Sequence, residues 1–182
     1  QLGEARAASE ARDAYIAETN PIMLAGVLQD RRVALVVLPG SDAAVAESTA
    51  ATLRSSGAAV VSTTSVSEDW VTGDEASAAS RDAAVTQAAT EAGVDVSDSG
   101  AVSPRDVLLA SLLTVPAADP SAALAPATAQ KALDTLAAAD LIEIDTEGFE
   151  LADLVVVVSG VTTQGDGEAR KIYGVKKTMG LL

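Results

Sequence analysis

The sequence predicts an α/β domain of three layers on a mostly parallel central sheet. Two observations predict it. Short, β-branched, uncharged runs recur at VALVVLP (33–39), AAVVSTTSV (58–66) and ADLVVVVSG (152–160), and Ala-rich helical stretches separate them. The chain also has 182 residues, which at about 150 residues per domain gives one core, with room for a short appendage.

The elements follow in order. Residues 1 to 18, QLGEARAASEARDAYIAE, are rich in helix-forming Ala, Glu and Arg but carry a thin apolar stripe. Such a helix needs a partner helix or a longer upstream continuation. Pro21 breaks it, and PIMLAGVLQ (21–29) reads as a second short helix with Pro in its first turn. The run 33–39 is a buried strand. Ser41 is the expected cap of a helix through Ser55, with Asp42 in its first turn and Gly57 as the stop. The strand 58–66 follows, and β-α-β in so short a span requires a parallel pair.

SVSEDWVTG (65–73) reads as a strand exit holding the single Trp, Trp70. Residues 74–93 are helical and 94–106 are a polar connection. A buried, Leu-rich helix is expected over 104–115, then a three-proline loop over 116–126. The helix 128–140 turns Ala132, Leu133 and Leu136 inward. A short strand at 141–145 and the strand 152–160 close the domain, and the remaining residues start as a flexible loop and end basic. This order fits a three-layer α/β sheet of Rossmann or flavodoxin type.

Composition restricts function. The apolar fraction is 48%, but 38 Ala against 21 Val, 18 Leu and 5 Ile make a core of low burial energy per residue. Twelve basic and 26 acidic residues give a net charge of −14, which disfavours nucleic acid and anionic membrane surfaces. With no His and no Cys, His triads, thiolate chemistry, disulfides and His- or Cys-ligated metal sites are excluded. Met23 and Met179 are the only soft thioethers, and they lie far apart, so copper finds no ligand set here. No apolar run reaches membrane-spanning length. The chain begins at Gln1, and any anchor is expected upstream of it.

Several motifs could carry chemistry. VLPGSD (37–42) sets Gly40 and Ser41 between a strand and a helix, where an anion can bind. It lacks both the G-x-G-x-x-G and the G-x-x-x-x-G-K-[ST] patterns, which favours an ordinary capped turn. GVTTQGDGE (160–168) could offer Asp166 and Glu168 to a divalent cation, but its spacing matches no EF-hand and it reads as a solvated loop. SEDW (67–70), TGDE (72–75) and EIDTE (143–147) group carboxylates, as chance alone does in so acidic a chain. No catalytic, cofactor-binding or metal residue is therefore assigned. The basic tail Arg170, Lys171, Lys176 and Lys177 reads as a solvated face. Trp70 reads first as core, and as a binding anchor if exposed.

The stretch LQDRRVALVVLPGSDAAVAESTAATLRSSGAAVVSTTSVSEDWV (28–71) resembles an actinobacterial copper-transporter family, the MctB/SteB-like proteins. PSAALAPATAQKALDTLAAADLIEID (120–145) and ADLVVVVSG (152–160) extend the likeness over about residues 10–162. The resemblance implies a single-pass anchor, a coiled coil and an extracytoplasmic α/β domain. Residues 1–20 would then be the end of the coiled-coil helix and 21–182 the single domain. SteB-like members imply a non-enzymatic role in septal cell-wall remodelling. They act on a RipA-type peptidoglycan endopeptidase together with a SteA-like cytoplasmic protein, which is reached through the upstream segment. MctB-like members imply copper export or homeostasis instead. A homodimer is the expected oligomer, because helix 1–18 lacks a partner. Arg6, Arg12, Tyr15 and Trp70 are the expected partner contacts, since aromatics and Arg are enriched in interfaces.

Overall fold

The computed structural model describes residues 25–71, 75–97, 101–144 and 149–160. Among the described residues four strands form one mixed sheet in the order β3-β2-β1-β4. They are β1 (Arg32–Val37), β2 (Ala59–Val66), β3 (Ile142–Ile144) and β4 (Leu154–Val158). The α-helices among the described residues are α1 (Ala43–Ser55), α2 (Glu68–Val71), α3 (Glu75–Ala92), α4 (Pro104–Leu113) and α5 (Pro126–Ala138).

β1 is central because its four inner residues, Val33 to Val36, are apolar and buried on both faces. It pairs in parallel with β2 and with β4. β3 is antiparallel to β2, so the expected mostly parallel sheet holds for β2-β1-β4 only. β3 has three residues and follows α5 through Asp140, which takes a left-handed φ of 56°.

Helices lie on both faces. α1 covers one face, where Ala50 and Leu53 pack with Leu35, Val37, Val60, Val156 and Val158. The opposite face holds the main core, in which α3, α4 and α5 bring Val85, Leu108, Leu112, Leu113, Leu133 and Leu136 onto Ala34, Val36 and Val66. Ala88, Ala89 and Ala92 of α3 and Ala129 and Ala132 of α5 are buried, and small side chains let these two helices approach closely. Thr135 of α5 donates to the Glu91 carboxylate of α3 at 2.7 Å and holds it below the usual carboxylate range.

Four expectations are corrected. Residues 25–30 form turns, not the end of a helix, because Gly26 and Asp30 both take positive φ. Asp42, not Ser41, caps α1: its carboxylate accepts the Ala44 N–H at 2.8 Å. The stretch around Trp70 is a helical turn, not a strand exit. The loop 116–126 contains a 3₁₀ turn at Pro120–Ala122, and its last residue, Pro126, already belongs to α5. The coiled-coil helix expected at the start of the chain lies outside the described residues.

Candidate functional site

The β1–α1 turn is closed to ligands by its own side chains. Asp42 places a carboxylate on the α1 N-terminus, where an anion would sit. The Ser41 hydroxyl donates to the Val158 carbonyl at 3.0 Å, and the Leu38 N–H donates to the same carbonyl at 2.9 Å. Gly160 packs against the Gly40 carbonyl so closely that a Cβ at 160 would overlap it. The turn therefore joins β1 to β4 and leaves no phosphate cradle.

Trp70 is 3% exposed and belongs to the main core, which corrects its selection as a surface contact. The helical turn of α2 rotates the ring inward. Its Nε1–H donates to Asp106 Oδ1 at 3.2 Å. Two guanidiniums cap the end of this short helix. Arg81 Nη1 donates to the Asp69 carbonyl at 3.1 Å, and Arg105 Nη2 to the Val71 carbonyl at 3.4 Å. Arg81 is nearly buried, and its Nε also contacts Asp82 at 3.2 Å. The role of these two arginines was not legible in the sequence, because their acceptors are main-chain carbonyls.

An open groove of about 800 Å³ runs between α3 and the chain leading into α4, walled by Val85, Ala89, Val94 and Val96 with Arg81 and Arg105. Asp82 and Asp95 line it too, so its charges balance. Asp95 is held below the usual carboxylate range by the Ser97 hydroxyl and N–H. The groove shows no convergent polar constellation of a reaction site.

An ion pair joins β1 to the approach of β4. Arg32 Nη2 donates to Asp153 Oδ1 at 2.8 Å, and the Arg32 backbone N–H donates to Asp153 Oδ2 at 2.9 Å. These bonds hold the Asp153 carboxyl below its ordinary range and raise the Arg32 guanidinium.

Among the described residues no group of three or more His, Cys, Asp or Glu could hold a metal. No described helix is long and apolar enough to cross a membrane. Of the sequence candidates, Arg6, Arg12, Tyr15, Met23, Asp166, Glu168 and Met179 lie outside the described residues, as do Arg170, Lys171, Lys176 and Lys177. What sequence reasoning missed is the exposure of β4, where Leu154 on one face of the sheet is 43% and Val157 on the other 54% exposed. The run LVVVV gave no sign of standing at an edge.

The fold and its surfaces define an α/β protein with a mixed four-stranded sheet and helices on both faces. The family described as copper transport outer membrane protein, MctB, matches residues 1–176, and the chain belongs to that family. No curated protein matches the chain.

Proposed function

We propose that this chain is a non-enzymatic, extracytoplasmic binding and scaffold domain within the MctB family. One observation carries the reading: a chain of 182 residues in a copper-transport family contains no Cys and no His. Cu(I) selects thiolate and thioether, and Cu(II) selects imidazole. The chain's link to copper is then indirect and runs through protein contacts.

The finer reading rests on the resemblance to SteB-like members. The domain belongs to a membrane-anchored protein at the division septum and regulates a RipA-type peptidoglycan endopeptidase together with a SteA-like cytoplasmic protein. The balanced charges of the α3–α4 groove and the self-capped β1–α1 turn support a scaffold over an enzyme. The family's description favours a second reading, in which the chain takes part directly in copper export or homeostasis.

Calorimetric titration of the chain with Cu(I) and with Cu(II) separates the two. The scaffold reading expects no stoichiometric binding of either ion. Uptake of one copper per chain at micromolar concentration would overturn it in favour of the second.

A further inference from the structure

We draw no further inference here: the strongest candidate, the open groove between α3 and the chain leading into α4, sets Arg81 and Arg105 against Asp82 and Asp95 and adjoins residues 98–100, which lie outside the described residues, so nothing in the structure shows what covers it.

Discussion

Trp70 donates its indole N–H to Asp106 Oδ1 at 3.2 Å, a bond that ties α2 to the first turn of α4. The ring is buried while the Asp106 side chain is 53% exposed, so the bond runs from the core outward. Trp70→Phe keeps most of the packing and loses the bond, and should cost about 1 kcal/mol. Trp70→Ala leaves a cavity and should cost about 3–5 kcal/mol. Urea unfolding followed by circular dichroism measures both. Equal losses for the two variants would show that the bond, not the ring volume, dominates.

The Arg32–Asp153 pair predicts a pH dependence. The Asp153 carboxyl titrates below its ordinary range in the folded chain, chiefly through the hydrogen bonds from Arg32. Its contribution is complete above the unfolded carboxyl value of about 3.9 and is lost as pH falls through the lowered folded value. The pair is partly exposed, with side-chain accessibilities of 39% and 25%, so screening limits it to about 1 kcal/mol. Asp153→Asn should lower stability at pH 7 by that amount, and the difference should shrink as pH falls below the unfolded carboxyl value. A constant difference across that range would place the loss in packing instead.

Thr64 is fully buried on the core face of β2, and its hydroxyl has no partner among the described residues; the same holds for the hydroxyl of nearby Ser62. Burying an unpaired hydroxyl is costly. Thr64→Val keeps the shape and should raise stability by about 1 kcal/mol, read as a higher melting temperature. A lower melting temperature would mean that a buried water satisfies the hydroxyl.

Gly160 leaves no space for a methyl group beside the Gly40 carbonyl. Gly160→Ala must push the β1–α1 turn from β4 and should cost about 1–3 kcal/mol. Amide hydrogen exchange at Leu38, whose N–H bonds to the Val158 carbonyl, and at Ser41, whose N–H bonds to the Leu38 carbonyl in the same turn, reports it. Unchanged exchange there would show that the turn yields freely.

The strands were legible because short, β-branched apolar runs mark them, and Val33 to Val36 are buried on both faces as such a run permits. The helices α1, α3, α4 and α5 were legible to within two or three residues through Ala, Leu and Pro positions, as at Pro104 and Pro126, whereas the single turn α2 was read as a strand exit. The direction of β3 was not, because it depends on where α5 delivers the chain. The edge position of β4 was hidden too, since LVVVV reads the same at a centre and at a rim. The Ser41–Asp42 cap was misread because either side chain can cap, and the Val158 carbonyl decides by drawing Ser41 away. The arginine caps on α2 depend on contacts 12 and 34 residues apart in sequence, beyond any local pattern.

The central claim is that this chain works by binding protein. Size exclusion with light scattering, on the chain mixed with a purified RipA-type endopeptidase that includes its coiled-coil region, tests it most directly. The account predicts one peak with the summed mass, weakened by salt. Two separate peaks at micromolar concentration and low salt would contradict it.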